Sequence, residues 1–507
     1  MFSTVLSATL QGLSVKFVQV EADVSNGLPM FQLVGYLSSE VKEAGERVRS
    51  ALRNSGMTLP PKKVVVNLSP ANMRKRGSMF DLPIAVAVLT ALGELGIKGF
   101  EDTLFVGELS LDGGVKQIPG VLPIVMEAKK RGCRRCVVPK ENQKEGELVE
   151  GIQVIGVDSL EEVWDILKGK KITNHVAVNR YLPLKAESYP DFSDIKGQSL
   201  IKRAVEIAVA GGHNILMIGP PGAGKTAIAK RIPGILPPLT LEESLELTKI
   251  YSILGKVEGE NPLIRERPFR EVHPSVTQTA LLGGGVFPRP GEISLADKGV
   301  LFLDEIAEFP KGLLETLRQP LEERAIRIIR EKGEYYFPAE FLLVAAMNPC
   351  PCGNYPDFNR CTCTHTQIRN YLGKLSQPLL DRIDLCVEVP KVQYDALVER
   401  GGEETSDAIR ERVIRAREVQ RQRYKGNGFR VNARLPIQQI EQVCRLDSES
   451  VVLMEQAYEK LGLTARTYHK VLGVARTIAD LECCESIQNH HLREALSYRT
   501  MDVKYRR

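Results

Sequence analysis

The run Ile215-Leu216-Met217-Ile218, followed at once by Gly219-Pro220-Pro221-Gly222-Ala223-Gly224-Lys225-Thr226, constrains this chain more than any other segment. Four apolar residues read as a buried strand, and Ala227 to Ile232 resume as a helix. Between them, G-x-x-x-x-G-K-T lets the backbone curl until successive N–H groups point inward, where the helix N-terminus adds its positive end. Such a cradle holds phosphate oxygens. Lys225 is placed to reach the β- and γ-phosphates, and Thr226 to offer its hydroxyl to Mg²⁺. The expected cofactors are therefore ATP and Mg²⁺.

A phosphate loop needs a second element to hold the metal and activate water. Val300-Leu301-Phe302-Leu303 is a second apolar strand, and it ends in Asp304-Glu305. Asp304 suits the Mg²⁺ hydration shell, and Glu305 can polarise an attacking water. A further buried strand, Phe341 to Ala346, leads to Asn348, a polar group suited to orienting that water. Arg382 sits among apolar residues in Leu379-Leu380-Asp381-Arg382-Ile383-Asp384. It is either a buried structural ion pair or a finger that completes a neighbouring subunit's site and stabilises transition-state charge.

At 507 residues the chain exceeds a single core, which stops growing near about 250–300 residues. Residues 1–170 alternate strand and helix signals: Val18, Val20, Ala22 and Val24 at period two, then Val41, Ala44, Val48 and Leu52 at helical spacing. Asp112-Gly113-Gly114 reads as a hairpin turn, Ile84 to Leu92 as a buried helix, and Asp158-Ser159 as the cap of a closing helix. Residues 171–190 read as a linker. From 191 to 390, strands alternate with helices, the pattern of a parallel sheet covered on both faces. From 391 to 507 the signals are all helical. A net charge of +5 selects no partner for the whole chain. The longest apolar stretch is far short of the roughly 20 residues a membrane helix needs, and the N-terminus carries no signal-peptide pattern. Ten cysteines are too few for a disulfide scaffold, so a cytoplasmic location and no membrane partner are expected.

Taken together, these motifs resemble those of AAA+ ATPases. Gly283-Gly284-Gly285, Pro288-Arg289-Pro290-Gly291-Glu292-Ile293-Ser294 and Gly299 to Glu305 resemble the magnesium-chelatase-like branch, in which an insert interrupts the second core helix. Ala345-Ala346-Met347-Asn348-Pro349-Cys350-Pro351-Cys352-Gly353, with the N-terminal block, is similar to the ComM/YifB group nearly end to end. The resemblance implies an α/β protein of three parts. These are an N-terminal ChlI-like, Lon-protease-like (ribosomal S5 domain 2-like) α+β domain over 1–170, an AAA+ P-loop core over 191–390, and a C-terminal α-helical lid over 391–507. It implies a second sensor arginine in the lid, which Arg466 fits, although a helix-capping surface arginine would look the same. It also implies a homo-oligomeric, hexameric ring that works on branched or single-stranded DNA in recombination or natural transformation.

The DNA-facing candidates are Arg330 and Lys332, at the tip of the hairpin read over Arg327 to Phe337, and Arg289 with Phe287 in the insert. Solvated surface charge is the competing reading for each. Arg410, Arg412, Arg415, Arg417, Arg421 and Arg423 line one helix, with Arg430 and Arg434 beyond it, either as a solvated face or as phosphate contacts. Arg74-Lys75-Arg76 offers the same choice. Cys350, Cys352, Cys361 and Cys363 fit a Zn²⁺ site, although C-x-C is tighter than the usual spacing; reduced packing thiols or a redox pair are the alternatives. In the N-terminal domain, Ser78 has no lysine base in the expected place, where Leu122 or Pro123 stands, so peptidase chemistry is not expected. A protein-remodelling chaperone and the motor subunit of a metal chelatase remain the alternative functions.

Overall fold

The structure is a computed structural model, described here for residues 1–95, 101–170, 189–257, 259–331, 333–392, 402–426 and 431–499. All but the last two residues of the expected linker, together with Lys332 and Arg430, lie outside the described residues. The chain forms two compact units. The first comprises Met1–Pro183, Thr240–Arg265 and Glu331–Tyr335; the second comprises Leu184–Leu239, Glu266–Arg330 and Tyr336–Arg507.

The first unit is built on a seven-stranded mixed sheet. Its order is Met30–Val34, Lys63–Ser69, Ser14–Ser25, Phe2–Gln11, Thr103–Phe105, Arg135–Pro139, Gln153–Val157. The first two long strands form an antiparallel hairpin in which Val5 faces Val20. The period-two residues Val18, Val20, Ala22 and Val24 are all buried, as the alternation requires. Helix Asp81–Ala91, apolar all round and buried along nearly its whole length, packs on this hairpin. Helix Ser39–Asn54 turns Val41, Ala44, Val48 and Leu52 inward, and Ser159 caps helix Leu160–Leu167 by accepting the Glu162 N–H.

One helix in this unit comes from the middle of the sequence. Leu241–Ile253, opened by a Thr240/Glu243 capping box, lies against helix Val121–Lys130, and the Gly120 N–H donates to the Ser252 carbonyl at 3.0 Å. The units therefore do not follow the consecutive segments expected from the sequence. The buried face of this helix mixes Leu247 and Ile250 with Ser244, Thr248 and Ser252, so its apolar pattern gave no sign of where it would dock.

The second unit carries a five-stranded, all-parallel sheet ordered Phe269–Val272, Val300–Leu303, Leu342–Met347, Ile215–Ile218, Leu385–Glu388. Three neighbouring strands thus end together: Ile218 pairs with Met347, and Leu303 with Ala345. After Glu388 the described elements are helices, with the last long ones at Ser406–Arg423, Ser448–Leu461, Ala465–Leu481 and Asn489–Ser497. Residues Ile409, Val413 and Ala416, and the buried face of Ala465–Leu481, join the apolar cluster that also holds Ile215, Val344 and Phe302. Two small two-stranded hairpins complete the described strands: Gly283–Gly284 with Arg289–Pro290, between short helices Gln278–Leu282 and Glu292–Leu295, and Ala325–Arg330 with Gly333–Pro338, of which residues 333–335 are grouped with the first unit. Among the described residues no helix is long and apolar enough to cross a membrane.

Candidate nucleotide site

Because the three central strands are parallel and in register, their carboxyl ends deliver Gly219, Asp304 and Asn348 to one edge of the sheet. Ligands of open α/β sheets bind at that edge. Lys225 begins the helix after the phosphate loop, and its ammonium donates to the Gly219 carbonyl at 2.6 Å, the Pro220 carbonyl at 3.0 Å and Asn348 Oδ1 at 3.1 Å. The Thr226 hydroxyl donates to Asp304 Oδ2 at 2.7 Å. Burial lowers the Lys225 pKa from its ordinary value, and the carboxylates of Asp304 and Glu305 oppose that shift. Gly222 and Gly224 take positive φ of 76° and 90°, the left-handed geometry that turns consecutive N–H groups to one side. A phosphate entering the loop would displace the two carbonyls from Lys225. A Mg²⁺ ion would find Thr226 Oγ1 and Asp304 Oδ2 already side by side.

Glu305 is exposed and holds φ at 49°. The left-handed region costs a residue with a Cβ roughly 1–2 kcal/mol, and such strain collects at functional sites. Here the turn comes immediately beyond Asp304, whose Oδ1 accepts the Glu305 N–H at 2.9 Å. The Tyr371 hydroxyl on helix His365–Leu372 lies near the Asn348 backbone, which opposes the rise that burial gives this phenol.

Arg382 and Arg466 meet at a residue that the sequence did not single out. Glu322, on helix Arg318–Glu323, accepts from Arg382 Nη2 through one carboxylate oxygen and from Arg466 Nη2 at 2.7 Å through the other. The hydrogen bond from Arg382, joined by the charges of both arginines, holds the Glu322 carboxyl below its usual range. Arg382 also donates from Nε to the Arg318 carbonyl (3.2 Å) and from Nη1 to the Pro378 carbonyl (2.6 Å), and its side chain is only 10% exposed. Behind it, Asn214 donates to the Arg382 carbonyl and accepts the Leu343 N–H, tying the arginine turn to the sheet. A cleft of about 800 Å³ runs past Glu322 and Arg382 to Arg327 and Arg330. Glu322 stands in an ordinary charged run, and no spacing could have flagged it.

Arg330 reaches the small hairpin that carries Arg289, 41 positions away in sequence. Gly284 pairs with Arg289 across the small hairpin, and the Arg330 guanidinium lies 3.9 Å from where a Cβ on Gly284 would stand. Both arginines are exposed, beside Val286 (80% exposed) and Ile329 (65% exposed).

Much of the long basic helix is otherwise employed. Arg410 and Arg417 donate to the carbonyls of Gly234 and Val209, Arg412 to Glu206 and Glu404, and Arg423 to Asp480 through both Nη atoms. These side chains fasten the helix to its own unit, whereas Arg415 is exposed. In the first unit Lys75 is fully buried with its ammonium on the Pro70 carbonyl, which removes it as a phosphate contact. The Ser78 hydroxyl donates to Glu108, so its partner is a carboxylate, not an amine base.

The four cysteines converge. Their Sγ atoms all lie within 4.8 Å of one another, and every cysteine is a free thiol.

A parallel sheet ordered with the phosphate-loop strand beside the Asn348 strand, and with the Asp304 strand next in line, defines a P-loop protein of the AAA+ class. The description "Magnesium chelatase, subunit ChlI" matches residues 191–397, "Subunit ChlI of Mg-chelatase" matches 20–142, and the ChlI C-terminal model matches 403–499. Competence protein ComM of Haemophilus influenzae is 41% identical over 502 residues, covering 98% of this chain and 97% of that protein. Protein YifB of Escherichia coli is 43% identical over 497 residues, covering 97% and 96%. Lon protease 2 of Bacillus subtilis is 29% identical over 147 residues, 28% of this chain. The chain belongs to the ComM/YifB family of magnesium-chelatase-like AAA+ proteins.

Proposed function

We propose that this protein is an ATP-driven ring motor that moves branched or single-stranded DNA. Gly219 to Thr226 cradle the phosphates, and Thr226 with Asp304 holds Mg²⁺. Glu305 polarises water, Asn348 orients it, Arg382 is the finger that completes a neighbouring copy's site, and Arg466 is the lid's second sensor arginine. The observation that carries the reading is the convergence of Lys225 with Asn348 and of Thr226 with Asp304 at one sheet edge. A hexameric ring, a cytoplasmic setting and structural zinc at the four thiols complete it. The relative named as a competence protein supports a role in the recombination of incoming DNA. The approach of Arg330 to the hairpin that bears Arg289, with Val286 and Ile329 exposed on the same two hairpins, supports strand contact there.

The test is ATP hydrolysis with and without four-way, forked, single-stranded and duplex DNA. Stimulation by branched DNA is expected, and Glu305→Gln should bind nucleotide yet lose about 10²–10⁴-fold in turnover. Turnover indifferent to every DNA but raised by an unfolded protein would favour a protein-remodelling motor, which exposed Phe287 and Tyr336 could serve. A response only to porphyrin-binding partner subunits would favour a chelatase motor.

A further inference from the structure

The chain leaves the Leu342–Met347 strand through Asn348 and at once makes two turns, each bearing a Cys-x-Cys pair. The Sγ separations are 3.4 Å for Cys350–Cys352, 3.5 Å for Cys352–Cys361 and 3.8 Å for Cys350–Cys361. A disulfide needs about 2.05 Å. Four thiolates on zinc, each at about 2.3 Å, stand about 3.8 Å apart along the edges of a tetrahedron. The backbone is shaped around the sulfurs as well: the Tyr355 N–H points at Cys350 Sγ at 3.4 Å, and Asn354 Nδ2 at Cys352 Sγ at 3.9 Å. Four soft thiolate donors at this spacing suit zinc.

The location matters more than the donor set. Gly353, at φ 80°, follows Cys352 and lies against the phosphate loop. A Cβ added there would stand 2.3 Å from Pro221 Cδ, inside any permitted contact. Two residues before Cys350, Asn348 accepts from Lys225. Downstream of Cys363, the Tyr371 hydroxyl returns to the neighbourhood of the Asn348 backbone, so the excursion that holds the thiols starts and finishes near the same asparagine. The cluster is thus flanked by Pro221 of the loop and by the residue that bonds the loop's lysine.

We propose that a zinc ion held by Cys350, Cys352, Cys361 and Cys363 sets the position of the phosphate loop, so that nucleotide affinity depends on the metal. This rests on the reading above that the cluster holds zinc, and it adds a duty for the ion beyond stapling a loop. Its physical basis is the close fit of Gly353 on Pro221: without the ion, the turn has no covalent reason to keep that contact.

The experiment uses the full chain purified under reducing conditions. Metal content by mass spectrometry should give one zinc per chain, and Co²⁺ substitution should give the intense thiolate-to-metal absorption of a tetrahedral sulfur site. Stripping the zinc with a chelator should weaken binding of a fluorescent ATP analogue with Mg²⁺ at least tenfold, and returning zinc should restore it. Gly353→Ala, measured with its zinc confirmed, should weaken the same binding, because the new methyl displaces Pro221. Protein that carries no zinc and gives no Co²⁺ spectrum overturns the zinc reading and the coupling with it. Zinc present at one per chain, with affinity unchanged after stripping and in Gly353→Ala, overturns the coupling alone. If stripping also lowers helix content by circular dichroism, the zinc-loaded Gly353→Ala variant decides.

Discussion

Each unit pairs a large sheet with buried ionic groups, and the two use those groups differently. In the first unit, Asp81 is fully buried. Its carboxylate receives a fork from Arg47 (Nε at 2.7 Å, Nη2 at 3.0 Å) and the Leu109 N–H at 3.2 Å. Glu145 receives the Leu122 N–H, Asn142 Nδ2 and the Ser252 hydroxyl. These partners sit on fixed backbone or on packed side chains, and their arrangement leaves little for a ligand to replace. At the parallel edge of the second unit, Lys225 instead leans on loop carbonyls and Thr226 on Asp304, bonds that phosphate and Mg²⁺ can take over. The difference follows from strand direction. A mixed sheet scatters its strand ends over two edges, whereas an all-parallel sheet gathers every carboxyl end on one. Polar residues placed there meet one another whatever their distance in sequence.

Arg382 strains this contrast most, because it looks like a first-unit residue set in the second. Its donors are spent on Glu322 and two carbonyls within its own chain. If it serves a neighbouring copy, Glu322 must yield its place to phosphate, and Arg382→Ala should lower turnover by about 10³-fold or more while leaving nucleotide affinity intact. Glu322→Gln should then retain most of the activity, since the arginine survives. Should Arg382→Ala turn over normally and only melt at lower temperature, Arg382 is a structural ion pair and the site is completed by other groups.

The converse test lies in the first unit. Asp81→Ala leaves Arg47 beside an apolar helix without its carboxylate. Arg47 is 23% exposed and keeps the Glu40 carbonyl. The cost comes from losing the buried carboxylate's charged hydrogen bonds and leaving the Leu109 N–H unmatched, about 3 kcal/mol. Denaturant unfolding should therefore show a large loss, while Mg²⁺–ATP affinity of the folded variant stays unchanged. A variant of normal stability with altered nucleotide binding would mean that the ionic groups of this unit are not purely architectural.

How much of this was legible in the sequence follows the same division. The convergence at the candidate nucleotide edge was readable because its residues lie at the ends of short apolar strands, where periodicity and a glycine pattern fix both element and position. Val300–Leu303 and Leu342–Met347 fall where the apolar runs end. The four thiols were visible by their concentration between positions 350 and 363, although C-x-C departs from the usual zinc spacing. Glu322 was not, since its role comes from two arginines 60 and 144 positions away, and no local pattern encodes such a meeting. Helix Leu241–Ile253 was missed as a member of the first unit for a related reason: a buried face with three hydroxyl side chains has no strong apolar stripe.

The smallest expected effect separates two arginines on one helix, which the sequence could not distinguish. Arg417 donates to the Val209 carbonyl from both Nε (3.2 Å) and Nη2 (2.6 Å), closing a buried edge between helices Ser406–Arg423 and Ser199–Gly211. Arg415 is exposed. Hydrogen bonds from charged donors are worth about 1.5–3 kcal/mol, so Arg417→Ala should lower unfolding stability by roughly that amount. Arg415→Ala should stay within about 0.5 kcal/mol of the parent, as surface substitutions do. DNA affinity reads the other half of the contrast. If the helix presents only solvated charge, Arg415→Ala leaves the dependence of binding on salt unchanged. If Arg415 touches phosphate, the slope of log K against log salt should flatten by about one unit, since one fewer counterion is released. A loss of stability in Arg415→Ala matching that of Arg417→Ala would erase the distinction between anchoring and outward-facing arginines on this helix.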